Sequence, residues 1–551
     1  MKMIVIGAVA AGTSAAAKAR RNTEDAEITI YEKDSYISYS GCGMPYFLGG
    51  EVEKAGELTP RDLAFFREKY NVEIKTQHEV LSIDPMKKAV LVKNLATGAA
   101  FSDSYDTLIF ATGARAVIPP IPGREKKHVF TLRNINDMLA IRSFLEERKP
   151  KTAAIVGTGF IGLEMCESLM RLGLQVTLLE KLPQVTPGLD ADMAIRVEEH
   201  LKKSGVAVRT GASIAEITED CVLLTDGAVI PAELVLLSTG VRPNVELATA
   251  AGVLLGKTGA ITVDTHMRTN LPDVYACGDC TEQFHAVTGQ PVYRPLGSTA
   301  NKTGRIAGDC ATGGNLAYRG TLGTGIFRVL GLSVAQTGLS EREAREAGYD
   351  AVVCHNTKPD KPEYLGGKEM TIKAVADRAS GRLLGAQIVG FDGVDKRIDV
   401  LATAISYGAK AEDLFYLDLA YAPPFATTKD PVLYTGMILE NAIQGGRPLM
   451  TAQELLARQE AGEQVIVIDT RIPAQYEKAH VEGAISIPHA EIREAAESLN
   501  RDDVIVTYCN KGTTGNAAQN ILINKGFRHV YNLSGGMNQY SMVRKAKDQA
   551  R

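Results

Sequence analysis

The chain has 551 residues, too many for a single hydrophobic core, and this length predicts three or four domains. Its composition is globular, with 45% hydrophobic and 23% charged residues, a net charge of −4 and a sequence pI of about 6.2. This balance gives no reason to expect nucleic acid or a membrane surface as a partner. The sequence begins directly with a strand-like run and has no long apolar stretch, so we expect a cytoplasmic protein without a signal peptide.

A dinucleotide-binding unit is predicted at the start of the chain. A strand at 3–6 leads into a glycine turn at 7–12 and an Ala-rich helix, and a second strand at 27–31 ends at an acidic residue. In such a unit phosphates lie at the helix N-terminus and the acidic residue binds ribose hydroxyls. We therefore predict an FAD site with contributions from Gly7, Val9, Ala10, Gly12, Glu32 and Lys33, in which Val9 replaces the middle glycine of the motif.

A single cysteine, Cys42, follows this unit in the run 38–46. Flavin disulfide reductases usually carry two cysteines with four residues between them, but Ile37 and Phe47 occupy the partner positions here. A lone thiol beside a flavin must form its disulfide with a group that comes from outside. This pattern indicates a thiol, disulfide or persulfide substrate.

A second dinucleotide unit begins near residue 153 and carries a complete glycine motif at Gly157, Gly159 and Gly162. Its second strand ends at Glu180, which would bind the ribose hydroxyls of NADH and repel a 2′-phosphate. Lys181 follows directly and leaves NADPH open as an alternative. Further cofactor contacts are predicted where strands end, at Thr112, Gly113, Gly240 and Asp279.

The remaining chain divides into two further domains. We predict an FAD-binding domain at 1–150 and 255–320, a nicotinamide nucleotide domain at 151–254, a mixed α+β domain at 321–444 and an α/β domain at 451–551. The eight cysteines are scattered, which indicates free thiols in a reducing compartment. Cys277 and Cys280 are close in sequence but lack further ligands at suitable spacing, so we expect no metal.

Taken together, these motifs resemble those of coenzyme A disulfide reductases, flavin-dependent pyridine nucleotide-disulfide oxidoreductases. The resemblance covers 1–445 and includes the runs 395–399, 421–424 and 429–430, while 450–545 resembles a rhodanese domain. It implies an α/β fold with two Rossmann-like FAD/NAD(P) domains, an α+β dimerisation domain and a C-terminal α/β rhodanese domain. Fused proteins of this kind reduce coenzyme A disulfide or coenzyme A persulfide.

The resemblance also implies roles for individual residues. Cys42 corresponds to the nucleophile, and Tyr364 and Tyr421 correspond to tyrosines beside the reacting sulfurs, one of which reaches the partner subunit of a homodimer. The implied coenzyme A contacts are Ser14, Lys18, Arg21, Ser38, Asn301 and Lys429. Lys18 and Arg21 are three residues apart on one helix, so we expect both to face the phosphates of coenzyme A.

The rhodanese resemblance centres on Cys509, which ends a strand and begins the loop 509–515. Backbone N–H groups around such a cysteine stabilise a thiolate or a persulfide anion. Thr514 stands where the family often has arginine, and we expect Lys511 to supply part of that charge. The departure makes persulfide a more suitable sulfur donor than thiosulfate.

The implied mechanism uses Cys42 held as a mixed disulfide with coenzyme A, which NADH-reduced FAD cleaves. Because the thiolate must attack the next substrate, we expect a lowered pKa for Cys42, caused by cationic neighbours and by the oxidised flavin. One alternative is an NADH oxidase or peroxidase, although Ala10 replaces the histidine that those relatives carry. A sulfurtransferase or sulfane-sulfur carrier is the other alternative.

Overall fold

The computed structural model describes residues 1–550, which form two compact units. The first unit comprises residues 1–181 and 212–323, and the second comprises 182–211 and the chain from 324 onward. The boundary falls inside the predicted nicotinamide nucleotide domain, because the helix Ala191–Lys203 belongs to the second unit.

Two nucleotide-binding regions make up most of the first unit. The elements between residues 2 and 179 are β1 Lys2–Ile6, α1 Ala10–Asn22, β2 Glu27–Tyr31, α2 Met44–Leu48, α3 Leu63–Tyr70, β3 Glu73–Lys75, β4 His78–Asp84, β5 Ala89–Asn94, β6 Ala100–Ser104, β7 Thr107–Phe110, β8 Ala114–Ala116, β9 Val129–Phe130, α4 Ile135–Arg148, β10 Thr152–Val156, α5 Phe160–Arg171 and β11 Gln175–Leu179. The elements α6 Ala191–Lys203 and β12 Ala207–Arg209 come next in the chain and belong to the second unit. The chain then returns to the first unit with β13 Ile214–Ile217, β14 Cys221–Leu224, β15 Val229–Pro231, β16 Leu234–Leu237, β17 Val241–Pro243, α7 Glu246–Ala250, β18 Val274–Ala276, β19 Gln283–Phe284, β20 Pro291–Val292 and α8 Gly297–Cys310.

Parallel sheets set the positions of both glycine turns. The first sheet has the order β18–β7–β1–β2–β3, and β1 pairs in parallel with β2 and β7. The second contains β11–β10–β16–β9, and β10 pairs in parallel with β11 and β16. Ligands of such sheets bind at the carboxyl ends of the strands, where both glycine turns lie.

Helices α1 and α8 pack closely because α8 carries small residues at the contact. A Cβ at Gly304 would overlap the Ala11 carbonyl, and a Cβ at Gly308 would overlap the Ala15 carbonyl. Glycine therefore lets the two backbones approach each other. This packing fixes α1, and with it the first glycine turn, against the core of the first unit.

The second unit contains an antiparallel sheet and a parallel one. Its elements after 324 are β21 Gly325–Val329, β22 Leu332–Gly338, α9 Glu341–Glu346, β23 Ala351–Pro359, β24 Glu369–Asp377, β25 Leu383–Gly390, α10 Val394–Ser406, α11 Pro431–Ile443, β26 Leu449–Met450, α12 Ala452–Glu460, β27 Val465–Asp469, α13 Pro473–Lys478, β28 Ile485–Ser486, α14 Ile492–Ala495, β29 Val504–Tyr508, α15 Thr513–Asn524, β30 His529–Leu533 and α16 Gly536–Ala550. The antiparallel sheet has the order β21–β22–β25–β24–β23, and the parallel sheet has the order β26–β30–β29–β27–β28.

The C-terminal parallel sheet begins after a short connection and is covered by helices. A capping box at Thr451 and Glu454 starts α12, the first of these helices. Strand β29 is buried along most of its length and ends at Tyr508, directly before Cys509. The predicted α/β class, with two dinucleotide-type sheets, a mixed third region and a C-terminal α/β region, is confirmed. Among the described helices, none has both the length and the apolar character that a membrane span requires.

Candidate functional sites

The first glycine turn joins β1 to α1 and has the backbone shape of a phosphate-binding turn. Gly7 has a φ of +108°, and a Cβ there would overlap the Ala111 carbonyl. A Cβ at Gly12 would overlap the Gly7 carbonyl. Val9 is the N-cap of α1 and Ala10 its first residue, and no side chain caps this helix end. The first N–H groups of α1 are therefore available to a phosphate.

Glu32 lies beside this turn, directly after β2, and is buried. Its carboxylate accepts hydrogen bonds from the Ala8 N–H at 2.8 Å and from the Asp34 N–H at 2.9 Å. Burial raises the pKa of Glu32, and these two hydrogen bonds oppose the shift. Lys33, the next residue, is exposed. This arrangement fits the adenosine ribose of a dinucleotide, which an acidic side chain binds at the same place in Rossmann-like folds.

The second glycine turn repeats this geometry between β10 and α5. Gly157 has a φ of +99°, and a Cβ at Gly162 would overlap the Gly157 carbonyl. A Cβ at Gly159 would meet no atom within 4 Å, so the backbone there is open to an approaching pyrophosphate. The turn therefore fits a second dinucleotide.

Glu180 occupies the position at the end of β11 that corresponds to Glu32. It is buried and accepts hydrogen bonds from the Thr158 N–H at 3.0 Å and from the Thr158 hydroxyl at 2.8 Å. Lys181 is exposed. A fixed carboxylate at this position suits ribose hydroxyls and disfavours a 2′-phosphate.

The predicted contacts at Thr112, Gly113 and Gly240 lie in turns that follow strands. Gly113 and Gly240 have φ values of +65° and +101°. The Thr112 hydroxyl donates to the Asn244 carbonyl at 2.7 Å, and the Asn244 side-chain amide donates to the Thr112 carbonyl at 2.8 Å. These reciprocal hydrogen bonds fix the turn after β7, at the carboxyl edge of the first sheet.

Cys42 lies in the short 3₁₀ turn Gly41–Gly43 that precedes α2, and its side chain is exposed. A Cβ at Gly43 would overlap Leu58, so the turn packs closely against the segment behind it. In α2, the helix that follows the turn, the Tyr46 hydroxyl donates to Glu164 Oε1 of α5 at 3.1 Å. The thiol is therefore held beside the helix that carries the second glycine turn.

The electrostatics around Cys42 differ from the prediction. Desolvation by the surrounding protein raises the pKa of the Cys42 thiol, and the carboxylates of Glu164 and Asp279 raise it further. Arg133 acts in the opposite direction, but its guanidinium is paired with Asp279 at 2.8 Å. The prediction that cationic neighbours lower the pKa of Cys42 is wrong, because two carboxylates and desolvation outweigh one paired guanidinium.

Two of the predicted coenzyme A contacts lie together between α1 and α8. The Ser14 hydroxyl donates to Asn301 Oδ1 at 2.7 Å. One turn further along α1, Lys18 Nζ forms an ion pair with Asp309 Oδ1 at 2.9 Å. A polar strip therefore follows the junction of the two helices, with its cation already paired to a carboxylate.

Arg21 and Lys18 contact different side chains in this structure. The Arg21 guanidinium donates to the Tyr70 hydroxyl at 3.0 Å and lies 5.3 Å from the centre of that ring. On an α-helix, side chains three residues apart point in directions that differ by about 60°, so these two side chains reach different neighbours. The Ser38 N–H donates to the Ala8 carbonyl of the first glycine turn at 2.8 Å, and Ser38 has a positive φ of 46°.

The predicted residues of the second unit lie on exposed segments. Tyr364 is 77% exposed, and Tyr421 is 49% exposed. Lys429 is exposed, with Nζ 5.9 Å from the centre of the Tyr434 ring. Their exposure leaves all three side chains available to a ligand or to another protein chain.

A buried ion pair holds the segment that carries Tyr421 and Lys429. Arg397 NH2 donates to Asp430 Oδ2 and to the Asp360 carbonyl, each at 2.8 Å. Asp430 also caps α11, accepting from the Val432 N–H at 3.0 Å. The conspicuous run 395–399 therefore serves to fix this segment through Arg397.

Cys509 lies at the carboxyl end of β29, before α15, and is 7% exposed. Gly512 has a φ of +93° and is the N-cap of α15, where no side chain caps the helix. A Cβ at Gly536 would overlap the Cys509 carbonyl, so glycine allows the loop 534–536 to approach the cysteine. The N-terminus of α15 thus faces the loop that begins with the thiol, which favours an anionic sulfur.

A buried polar network around Asp469 is hydrogen-bonded to this loop. Arg471 Nε donates to Asp469 Oδ1 at 2.9 Å, and the Tyr508 hydroxyl donates to Asp469 Oδ2 at 2.6 Å. Arg471 NH1 also reaches Asn510 Oδ1 at 3.1 Å. The charge of Arg471 is therefore used inside the network, and Asn510, the residue after Cys509, is anchored by it.

Lys511 does not act as the free loop cation that the sequence predicted. Its ammonium forms an ion pair with Glu369, the first residue of β24. Thr514, in the first turn of α15, brings no charge. The local positive charge expected from Lys511 is thus offset by a carboxylate of the neighbouring sheet.

Sequence reasoning missed three residues whose charges act on the two thiols: Arg133, Glu164 and Lys358. Arg133 and Glu164 affect Cys42, and Lys358 interacts electrostatically with Cys509. Glu164, two positions after Gly162 in α5, was visible in the sequence. Its proximity to Cys42, 122 positions earlier in the numbering of the chain, depends on packing that no local pattern carries.

Cys277 and Cys280 lie in the core of the first unit. Both are fully buried, and the Cys280 thiol donates to the Cys277 carbonyl at 3.2 Å. Within the described residues there is no group of three or more His, Cys, Asp or Glu side chains placed to hold a metal ion. The pair packs as two free thiols.

Two dinucleotide turns and a lone exposed thiol define a nucleotide-dependent thiol–disulfide oxidoreductase. The chain belongs to the pyridine nucleotide-disulphide oxidoreductase family, whose main domain matches residues 1–299 and whose dimerisation domain matches residues 326–431. Residues 451–542 match the rhodanese-like domain. The predicted family resemblance is confirmed.

Individual relatives agree with this assignment. The NAD(P)H coenzyme A polysulfide/persulfide reductase of Pyrococcus horikoshii is 36% identical over 448 residues, covering 80% of this chain and 98% of that protein. The crystal structure of reduced Bacillus anthracis CoADR-RHD has 36% identity and a TM-score of 0.96, and the match covers 99% of this chain and 98% of that one. A NAD-dependent persulfide reductase from A. fulgidus has 37% identity and a TM-score of 0.89, with coverage of 98% and 100%.

Proposed function

We propose that this protein is an FAD-dependent NAD(P)H reductase of coenzyme A disulfide and coenzyme A persulfide, with a rhodanese domain that delivers persulfide sulfur. The observation that carries the proposal is the thiol of Cys42. Of the eight cysteines, all in the described part of the chain, Cys42 is the one that is exposed, and none is paired in a disulfide. A single accessible thiol beside two dinucleotide turns must use the sulfur of its substrate as the disulfide partner.

FAD and NAD(P)H, when bound, supply the electrons for this chemistry. The residues proposed to hold FAD are Gly7, Val9, Ala10, Gly12, Glu32, Lys33, Thr112, Gly113 and Asp279, and those for NAD(P)H are Gly157, Gly159, Gly162, Glu180 and Gly240. Glu180, fixed by Thr158, supports a preference for NADH. The protein's own task is to place Cys42 next to the nucleotides and to keep its sulfur accessible.

Cys42 would act as the nucleophile in a thiol–disulfide exchange. Its thiolate attacks one sulfur of the substrate, so a Cys42–coenzyme A disulfide forms as the substrate's own sulfur–sulfur bond breaks. The leaving group is coenzyme A thiolate from the disulfide, or hydrosulfide from the persulfide. Two electrons then cleave the mixed disulfide and return Cys42 and coenzyme A as thiols.

Coenzyme A would lie along the junction of α1 and α8 and reach Cys42 with its thiol end. The proposed contacts are Ser14, Lys18, Arg21, Ser38, Asn301 and Lys429. Because Asp309 already pairs with Lys18, a bound phosphate must share that ammonium or displace the carboxylate. Cations that are partly exposed on one helix still suit the several phosphates of this substrate.

We propose that the protein is a cytoplasmic homodimer whose subunits share their active sites. We propose that Tyr421, and with it Tyr364, donates a hydrogen bond to a leaving thiolate. Their exposure and the dimerisation domain at 326–431 favour a role across the interface between two subunits. The proposed domains are 1–150 with 255–320 for FAD, 151–254 for NAD(P)H, 321–444 for dimerisation and 451–551 for rhodanese chemistry.

The test is anaerobic NADH consumption by the purified full-length enzyme, with coenzyme A disulfide and separately with coenzyme A persulfide, while sulfide is measured in parallel. Wild type is compared with Cys42→Ser and Cys509→Ser. We expect Cys42→Ser to abolish turnover of both substrates, and Cys509→Ser to retain it when preformed coenzyme A persulfide is supplied.

Two results would overturn the proposal. If NADH reduces the flavin but neither coenzyme A substrate is consumed, the substrate assignment fails. If Cys509→Ser abolishes turnover and Cys42→Ser does not, the protein is a sulfurtransferase and its reductase site is not the one at Cys42.

A further inference from the structure

The first turn of α16 holds the backbone carbonyls at the start of the Cys509 loop. The Met537 N–H donates to the Cys509 carbonyl at 2.8 Å, and the Asn538 N–H donates to the Asn510 carbonyl at 3.1 Å. A Cβ at Gly536 would overlap the Cys509 carbonyl, so glycine allows this approach. The start of α16 therefore fixes the orientation of the two peptide groups that follow Cys509.

This orientation also decides where two N–H groups of the loop point. Each peptide group is planar and trans, so its N–H points in the direction opposite to its C=O. The N–H groups of Asn510 and Lys511 belong to these two peptide groups and therefore point away from α16. Neither donates to an acceptor in the part of the chain that the structure describes. Both remain available to an anion in the loop, such as a thiolate or a persulfide on Cys509.

The residues that precede this turn of α16 are bound to the antiparallel sheet. The His355 N–H of β23 donates to the Ser534 hydroxyl oxygen at 2.8 Å, and His355 Nδ1 lies 3.0 Å from the same oxygen. A Cβ at Gly535 would lie 2.9 Å from the His355 Cβ. The loop 534–536 is therefore in direct contact with one side chain of β23.

The other ring nitrogen of His355 reaches α6. His355 Nε2 lies 2.6 Å from Asp192 Oδ2, and Asp192 Oδ1 lies 2.8 Å from Lys373 Nζ. The side-chain amide of Gln539, in the first turn of α16, donates to Asp192 Oδ2 at 3.3 Å. These four side chains and that of Ser534 are at most 2% exposed. A buried network whose members are hydrogen-bonded in this way is rigid, and the imidazole is its bridge.

We propose that His355 is a positioning residue for sulfur transfer at Cys509. Its imidazole bridges Asp192 and Ser534 and so holds the first turn of α16 in the place from which that turn orients the Cys509 loop. The inference rests on the proposed delivery of persulfide sulfur by Cys509. It places a determinant of the rhodanese reaction on β23, outside the rhodanese-like domain at 451–542. His355 acts through the backbone of 534–538 and takes no part in the bond changes.

The sulfur transfer that this loop would serve involves no net oxidation. The Cys509 thiolate attacks the outer sulfur of a polysulfide, a new sulfur–sulfur bond forms, and the shortened polysulfide leaves with the electron pair of the broken bond. Coenzyme A thiolate then attacks the outer sulfur on Cys509, which gives coenzyme A persulfide and releases the Cys509 thiolate. Negative charge lies on Cys509 before and after each step, so N–H groups that are already oriented stabilise each of these states.

The experiment uses the full-length FAD-loaded protein with Cys42→Ser as the background. The bridge is broken in Ser534→Ala, in His355→Gln and in the double variant; glutamine has no nitrogen at the Nδ1 position. Thr357→Val is the matched control on the same strand. It removes a buried hydrogen bond between the Thr357 and Thr371 hydroxyls, 3.0 Å apart, which does not involve the loop 534–536.

Two rates are measured in each protein. One is iodoacetamide alkylation of Cys509 across a pH series, located by peptide mass spectrometry. The other is sulfur transfer from inorganic polysulfide to coenzyme A. The same changes are also made in protein that retains Cys42, where anaerobic NADH oxidation with coenzyme A disulfide reports on the reductase site alone. Unfolding temperatures identify any variant that has lost its fold.

We expect Ser534→Ala and His355→Gln each to slow both reactions near neutral pH by roughly threefold to tenfold, and to move the alkylation profile to higher pH. The double variant should be no slower than the slower single variant, because both changes break one bridge. Thr357→Val should match the background, and turnover of coenzyme A disulfide should stay at the wild-type level. A purely structural role would lower the unfolding temperature and leave the pH profile of the folded protein in place.

The inference is overturned if a folded Ser534→Ala or His355→Gln protein alkylates Cys509 with the background rate and pH profile. It is also overturned if the two effects multiply in the double variant, or if Thr357→Val is equally slow. If even the background protein transfers no sulfur to coenzyme A, the proposed delivery by Cys509 fails, whereas the alkylation profiles still report separately on His355.

Discussion

At the scale of single residues, the charge next to Cys42 controls how readily its thiolate forms. Glu164 raises the pKa of Cys42, so a neutral side chain at position 164 should lower it. We expect Glu164→Gln to alkylate Cys42 roughly twofold faster or more near neutral pH, in protein first reduced with NADH. The glutamine oxygen can still accept the Tyr46 hydrogen bond, so packing is maintained.

Iodoacetamide alkylation across a pH series checks this prediction, with Glu167→Gln on the same helix as the charge-matched control. The profile of Glu164→Gln should lie at lower pH than that of the control. A profile at the same or at higher pH would show that Glu164 does not act on the thiol.

Glu180 provides a second prediction at this scale, on nucleotide choice. The buried Glu180 carboxylate is proposed to bind the nucleotide ribose and would repel a 2′-phosphate there, so Glu180→Ser should raise the ratio of kcat/KM for NADPH to that for NADH by roughly tenfold or more. Steady-state kinetics with both nucleotides measure the ratio. Glu233→Ser, which changes an exposed glutamate, serves as the control. An unchanged ratio in Glu180→Ser would show that Glu180 does not determine the choice of nucleotide.

At the scale of elements, α6 is joined to β23 and β24 by a buried charge network. Lys373 Nζ lies 2.8 Å from Asp192 Oδ1, and His355 Nε2 lies 2.6 Å from Asp192 Oδ2. Glu341 and Asp190 complete the shell around Lys373 at 2.8 and 3.2 Å. Removing Lys373 would leave three carboxylates around one buried position without their cation.

We therefore expect Lys373→Met to lower the free energy of unfolding by about 3–5 kcal/mol. Urea denaturation measures the loss, and Lys410→Met, which removes an exposed lysine, should cost less than about 1 kcal/mol. Equal effects for the two variants would contradict the account, because the buried network would then contribute no more than a surface ion pair.

The same network predicts how stability depends on pH. Burial acts to raise the pKa of Asp192, but Lys373 and His355 hold it well below its ordinary value. The contribution of Asp192 to the free energy of unfolding is thus present above about pH 4, and it is lost as the pH falls through the lowered pKa of this carboxyl. Burial acts to lower the pKa of Lys373, but the surrounding carboxylates raise it above its ordinary value. The contribution of Lys373 to the free energy of unfolding is therefore lost only as the pH rises above about 10.

At the scale of the whole molecule, the proposed dimer shares its active sites between subunits. If Tyr421 serves the partner's Cys42, co-expressed Cys42→Ser and Tyr421→Phe chains should form mixed dimers with one intact site. A statistical mixture would then show about a quarter of wild-type turnover, although each variant alone is nearly inactive. Activity no greater than that of the separate variants would contradict a shared site, and light scattering gives the oligomeric state.

Much of this architecture could be predicted from the sequence, for identifiable reasons. Gly7 and Gly157 mark turns because a positive φ there excludes most side chains, and Glu32 and Glu180 end strands whose apolar runs are plain. Local patterns cannot report which distant charges meet. The pKa of Cys42 depends on Glu164 and Asp279, far away in the chain, and so the predicted effect of its charged neighbours was wrong.

The charge of Lys511 was misjudged for the same reason. The sequence showed a lysine two positions after Cys509, but its ion pair with Glu369 depends on how the C-terminal domain packs against β24. The charge balance of the Cys509 loop thus depends on a contact between the two sheets of the second unit, which no local pattern in the sequence reports.

The central claim is that Cys42 alone forms a mixed disulfide with coenzyme A, and intact-protein mass spectrometry tests it most directly. Enzyme reduced with NADH and freed of nucleotide is incubated with coenzyme A disulfide without oxygen. The account predicts one coenzyme A adduct per chain, located on Cys42, absent from Cys42→Ser and removed by NADH. A protein that gains no adduct, or gains it at another cysteine, would contradict the account.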